Sequence, residues 1–154
     1  MESDAIDLSD HLRPEQVVDL TAVTKDAALQ EMVAAAARSD AVEDELALLE
    51  AVRAREKILS TGIGLGIAIP HARIDAVSQF VVAVGRHAGG IDFESIDQRP
   101  VHIVVLIAGP ADTQKPYLEL LAQLSKRLKL EEVREEIRGG APAPRVVELL
   151  TGNA

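Results

Sequence analysis

His71 is the residue in this chain around which chemistry is most readily arranged. It follows Pro70, whose ring fixes one backbone dihedral and removes a donor, so the short run from Ile67 is expected to end as a strand at Pro70. That places an imidazole at a strand's end. A neutral imidazole is a nucleophile at physiological pH and can carry a covalent intermediate. Just upstream, Ser60-Thr61-Gly62-Ile63-Gly64-Leu65-Gly66 forms a glycine-rich loop whose backbone amides can approach an anion closely. Arg55 lies sixteen positions before His71 and Arg73 two positions after it. Each offers the planar fork that suits phosphoryl oxygens. Plainer readings stand beside these: a loop histidine satisfied by its own hydrogen bonds, a tight connection for the glycines, and a solvated helix face for Arg55.

The commoner site motifs do not fit. Gly62-x-Gly64-x-Gly66 is not G-x-G-x-x-G, and here a helix precedes the loop while a strand follows, the reverse of a dinucleotide turn. No Gly-Lys-Ser/Thr is present for a Walker loop, and no Gly-x-Ser-x-Gly for a hydrolase elbow. The chain has no cysteine, and its four histidines, His11, His71, His87 and His102, are widely spaced, so no metal site is expected. His102, inside an apolar run, reads as a hydrogen-bonded core histidine, and His11 and His87 as surface residues.

These residues need a scaffold. The 154 residues suit one domain, with 47% hydrophobic and 27% charged residues. A net charge of -9 argues against binding nucleic acid or an anionic membrane surface. Phe80, Phe93 and Tyr117 are the only aromatic residues besides histidine, too few for a base-stacking platform. The apolar run Val101–Pro110 is too short to span a bilayer, and the acidic start does not resemble a signal peptide, which makes the cytoplasm the expected compartment.

A short strand is expected over 16–20. A helix follows from Asp26, capped by Thr24 and burying Leu29, Met32, Val33 and Ala36. A second helix over 42–58 would bury Val42, Leu46, Leu49 and Val52. Strands are expected over 79–85 and 101–108, with turns at Gly89-Gly90 and Asp97 around a short strand near 91–93. A helix through Leu118, Leu121, Leu124 and Leu128 precedes two shorter ones near 131–138 and 143–150. Helices before, between and after strands make this a single α/β domain, 1–154 with its core at about 5–150, a mixed sheet flanked by α-helices.

Arg55-Glu-Lys-x-x-Ser-Thr-Gly-Ile-Gly-x-Gly-Ile-Ala-Ile-Pro-His71-x-Arg73 resembles the signature of enzyme IIA domains of the fructose/mannitol type. These are carriers of the bacterial phosphoenolpyruvate-dependent sugar phosphotransferase system. The likeness extends through 91–108 and into the helix at 118–124. The resemblance implies a mixed, mostly parallel sheet and phosphorylation of His71 by phospho-HPr or its nitrogen-branch counterpart. Arg55 would brace the phosphoryl group, with Ser60, Thr61, Gly62, Gly64 and Gly66 as the phosphate-cradling loop. A IIB domain or a regulatory target would be the next partner, and no cofactor or metal is implied. With no IIB or IIC segment alongside, the chain is most similar in organisation to the stand-alone nitrogen-regulatory members. One departure stands out: many members carry a second histidine where Tyr117 aligns. A tyrosine can hydrogen-bond a ring nitrogen or phosphoryl oxygen, but with a pKa of about 10 it supplies no positive charge. Tyr117 and Arg73 are therefore auxiliary candidates.

Overall fold

Val101–Gly109, the chain's most continuous β-branched run, is the central strand of the sheet. The computed structural model describes residues 6–58 and 60–152. After a 3-10 turn at Leu8–Asp10 come β1 (Leu12–Asp19), α1 (Lys25–Ala36), α2 (Glu45–Ile58), β2 (Gly62–Gly64), β3 (Ile67–Ala68) and β4 (His71–Arg73). Then follow β5 (Val81–Ile91), β6 (Val101–Gly109), α3 (Gln114–Leu128), α4 (Glu131–Arg138) and α5 (Ala143–Thr151). The strand order is β1-β5-β6-β3-β2, with β4 pairing β6 beyond β3. Pairings β1–β5, β3–β6 and β4–β6 are parallel, while β5–β6 and β2–β3 are antiparallel. The sheet is thus mixed and mostly parallel, although its longest pairing is antiparallel.

Both faces of the sheet are covered, which is why β6 reads as an unbroken apolar run rather than an alternating one. Val104, Leu106 and Ala108 pack with α1 and α2, including Leu29, Met32, Val33, Leu48 and Val52. Ile103, Val105 and Ile107 pack with α3, α4 and α5 through Leu120, Leu124, Val133 and Leu149. Thr24 caps α1 as expected, its side chain accepting from the Ala27 N–H. Among the described residues no helix is long and apolar enough to cross a membrane.

Several expectations are corrected. Strand β1 starts at Leu12, not near 16, with a register shift between Leu12 and Val17 hiding its alternation. Pro70 does not end the strand course. Its carbonyl accepts from Ile107 N–H, and β4 resumes at His71, because a proline removes only its own donor. Gly89-Gly90 is not a turn. It lies within β5 at a second register shift, where Gly90 takes φ +87° and donates its N–H to His87 Nδ1. In α2 the buried face runs through Leu48, Val52 and Glu56, leaving Leu46 63% exposed. In α3 it runs through Tyr117, Leu120, Leu124 and Leu128, leaving Leu118 49% exposed. His11 and His87 are partly buried rather than free surface residues: Nδ1 of His11 donates to the Phe80 carbonyl. His102 is half-buried and hydrogen-bonded through Nδ1 to the His87 carbonyl.

Candidate functional site

Strand β4 has β6 as its only neighbour among the described strands, so its other edge is open. Side chains alternate across a strand. Ala72 enters the core beneath α1 and α2, so His71 and Arg73 project together to the opposite face. There the His71 ring meets Tyr117 of α3, with centroids 4.9 Å apart and planes tilted by 37°. The Arg73 guanidinium carbon lies 5.2 Å from the centroid of the Tyr117 ring. At that distance over an aromatic face the cation is attracted to the ring quadrupole.

Nδ1 of His71 lies 3.2 Å from the Ile69 carbonyl oxygen. A carbonyl only accepts, so Nδ1 carries the proton and Nε2 keeps the free lone pair. Burial pushes the His71 pKa below the usual histidine value; the Ile69 hydrogen bond opposes this, while the charges of Arg55 and Arg73 add to it. The result is a neutral ring at pH 7 with its nucleophilic nitrogen unencumbered. Tyr117 is buried, and that burial raises its pKa, so it is a neutral phenol.

The cleft in front of His71 has a volume of about 730 Å³ and is lined by Arg55, His71, Arg73, Asp112 and Gln114, among others. Arg55 reaches it from the last turn of α2, which packs against β4 at the open edge. The far wall is the start of α3. No side chain caps this helix, because the Thr113 hydroxyl turns back to donate to the Pro110 carbonyl. A helix start without a side-chain cap presents amide donors and the positive end of the helix dipole. The cleft therefore combines a neutral imidazole, two guanidinium groups and a helix N-terminus with the carboxylate of Asp112; guanidinium forks of this kind can hold phosphoryl oxygens.

In the glycine loop, the first three residues donate hydrogen bonds within the protein. Ser60 Oγ donates to the Phe93 carbonyl and accepts from Gly62 N–H, and Thr61 gives both its N–H and its hydroxyl to Glu56. Gly64 and Gly66 lie beside Asp97 and His102. Along β6, Ile103 neighbours Ile67 and Ile107 neighbours His71, four residues apart, roughly 13 Å of strand. Of the uncapped positions at the start of α3, Gln114 lines the cleft, while Pro116 has no N–H to offer. Gly62 is glycine for packing reasons: a Cβ there would fall 2.1 Å from Ser95 Oγ.

Sequence reasoning missed Glu56. It reads as one more charge on a polar helix, yet it is 6% exposed and pairs with Lys25 Nζ at 2.7 Å. Its spacing of four from Val52 was the signal available. Among the described residues no cluster of His, Asp or Glu is placed to hold a metal ion.

Fold and cleft together define a class: an α/β domain that presents one neutral, reachable histidine between guanidinium groups. The profile of the phosphoenolpyruvate-dependent sugar phosphotransferase system EIIA 2 family matches residues 11–152, and the chain belongs to that family. It is 40% identical over 114 residues, 74% of each chain, to a fructose-specific EIIA component of Haloferax volcanii. It is 31% identical to a nitrogen regulatory protein of Bradyrhizobium diazoefficiens, covering 93% of this chain and 94% of that one. In structure it resembles the nitrogen regulatory protein IIA-Ntr of Neisseria meningitidis, with a TM-score of 0.86 at 28% identity over 94% of this chain and 99% of that one.

Proposed function

We propose that this protein is a cytoplasmic phosphocarrier in a regulatory role, accepting a phosphoryl group on Nε2 of His71 from phospho-HPr or its nitrogen-branch counterpart. The observation that carries this reading is the Nδ1–Ile69 hydrogen bond, which leaves Nε2 as the free nucleophile facing the cleft. The Nε2 lone pair forms the new N–P bond as the donor's N–P bond breaks, and that electron pair returns to the donor imidazole. Arg55 and the start of α3 hold the equatorial oxygens, and Arg73 leaves the Tyr117 face to join them. Phosphoryl transfer asks a protein mainly for positioning and charge stabilisation, and these groups supply both. The group would then pass to a IIB domain or act as a signal to a regulatory target. The similarity along the full length of a nitrogen regulatory protein supports the regulatory role.

The test is intact mass after incubation with phosphoenolpyruvate, enzyme I and HPr, before and after mild acid. An acid-labile gain of one phosphoryl group, absent in His71→Ala, is expected. A His71→Ala protein that labels fully overturns the assignment.

Tyr117 favours a second reading, a binding module on this fold whose onward transfer is slow. Its buried ring packs on His71 where a second imidazole would offer acid–base chemistry. On this reading Tyr117→His transfers to a IIB domain several-fold faster than the parent. Equal rates would show that Tyr117 is no handicap.

A further inference from the structure

A chain of hydrogen bonds runs from the buried Lys25–Glu56 ion pair to the ring of His71. Lys25 Nζ contacts Glu56 Oε2 at 2.7 Å, on the side of the carboxylate that also accepts from Thr61 N–H at 2.9 Å. The other oxygen, Oε1, accepts from Thr61 Oγ1 at 2.7 Å. The Thr61 carbonyl in turn accepts from Ile69 N–H at 3.0 Å. The Ile69 carbonyl, finally, takes the Nδ1 proton of His71. Five residues from α1, α2, the glycine loop and the β3–β4 junction are thereby tied in series. The acidic end of the series is 6% exposed, and Thr61 is 5% exposed.

We propose that Glu56 and Thr61 are positioning residues for phosphoryl acceptance, fixing the tautomer of His71 through the Ile69 peptide. This rests on the reading of His71 as the acceptor and extends it to residues that never touch the phosphoryl group. Glu56 grips Thr61 at two points, which sets the Thr61 carbonyl; that carbonyl sets the Ile69 peptide, whose own carbonyl holds the proton on Nδ1. A free neutral imidazole favours the proton on Nε2, which would block the attacking nitrogen. The site therefore needs an acceptor held rigidly at Nδ1, and the bond there, at 3.2 Å, is long enough to be lost to a small displacement. The same arrangement accounts for Thr61 within the glycine loop. Its donors serve a carboxylate and so are withheld from any bound anion.

The experiment reads tautomer and transfer separately. ¹⁵N chemical shifts of the His71 ring are measured on the unphosphorylated protein at neutral pH, and phosphoryl acceptance from phospho-HPr on the same samples. The variants are Thr61→Val, Thr61→Ser and Glu56→Gln, each checked for a cooperative thermal transition. The wild type is expected to show a protonated Nδ1 and bare Nε2. Thr61→Val and Glu56→Gln should move the ring toward the Nε2-protonated form and slow acceptance by about 10-fold, the scale of a sub-ångström misplacement. Thr61→Ser, which keeps the hydroxyl, should restore both readouts. A folded Thr61→Val with wild-type ring shifts and acceptance rate would overturn the proposal, as would a wild-type ring protonated on Nε2. Wild-type protein with the Nδ1 tautomer but no labelling would instead count against His71 as acceptor, and the proposal would fall with that reading.

Discussion

The β3–β4 line has two ends, and they are built on opposite principles. At the His71 end the strand edge is open, the side chains are polar, and two arginines of like charge converge on one cleft. At the glycine end Ser60 and Thr61 donate within the protein and Gly62 donates to Ser60, while Gly62 leaves no room for a methyl group against Ser95, whose buried hydroxyl has no partner among the described residues. The first end turns its charged groups toward a cleft; the second turns most of its donors inward. Glycine-rich sequence beside a histidine does not by itself identify an anion cradle: the question is whether the amides have already found partners.

Substitutions can separate the two ends. Arg55→Ala, at the open end, should slow phosphoryl acceptance by roughly 100-fold, the usual cost of losing a group that holds developing charge. Its melting temperature should change little, and Arg73→Ala should cost less, since that guanidinium rests on Tyr117 until it is needed. Equal losses for the two arginines would make the cleft symmetric and remove the special place given to α2.

Gly66→Ala should do the reverse. Gly66 has φ +75°, a conformation that costs a side chain about 1 kcal/mol or more. Thermal unfolding should therefore fall by a few degrees while the acceptance rate of the folded protein stays at the wild-type value. A rate defect there would join the two ends that the geometry separates.

The smallest effect is in pH dependence. His71 is held with a pKa below its unfolded value of about 6.5, chiefly by burial, so below that pH the unfolded chain binds the proton more readily than the folded one. Stability should then fall as pH drops from 6.5 towards the folded pKa, and His71→Gln should lack that part of the slope. Acceptance should follow the same group, with its acid limb centred below pH 6.5 in a rate profile. A limb centred above 6.5 would contradict the buried, neutral ring.

Much of the fold could be read from the chain, because β6 is apolar on both faces and α1 combines a threonine cap with apolar residues at helical spacing. The failures have physical causes. Leu46 and Leu118 satisfy the helical period nearly as well as Leu48 and Tyr117, and only the packing partner decides which stripe turns inward. Gly89-Gly90 resembles a turn because a bulge and a turn both use positive φ. Of the candidate site, His71, Arg55 and Arg73 were legible as candidates, but that His71 and Arg73 share one strand face was not, since the strand was expected to stop at Pro70. Their convergence with Arg55 was not legible either, since it depends on α2 ending beside an open sheet edge. Glu56 escaped notice because composition cannot distinguish a carboxylate buried against Lys25 from one in water.

The antiparallel pairing at the centre of the sheet has a kinetic consequence. β5 and β6 are joined by the short segment 92–100, so their long ladder closes a small loop. β1 pairs with β5 only across both α1 and α2, and β4 meets β6 across the whole of β5. Loop closure costs less entropy for near neighbours, so the β5–β6 hairpin is expected to form early, with β1 and the strand carrying His71 added afterwards. Conservative truncations at Val84 or Val105 should then slow refolding, whereas those at Leu12 or Ile69 should mainly hasten unfolding. His71 would thus reach its place only in the last stage of assembly, on a strand whose partner is already fixed.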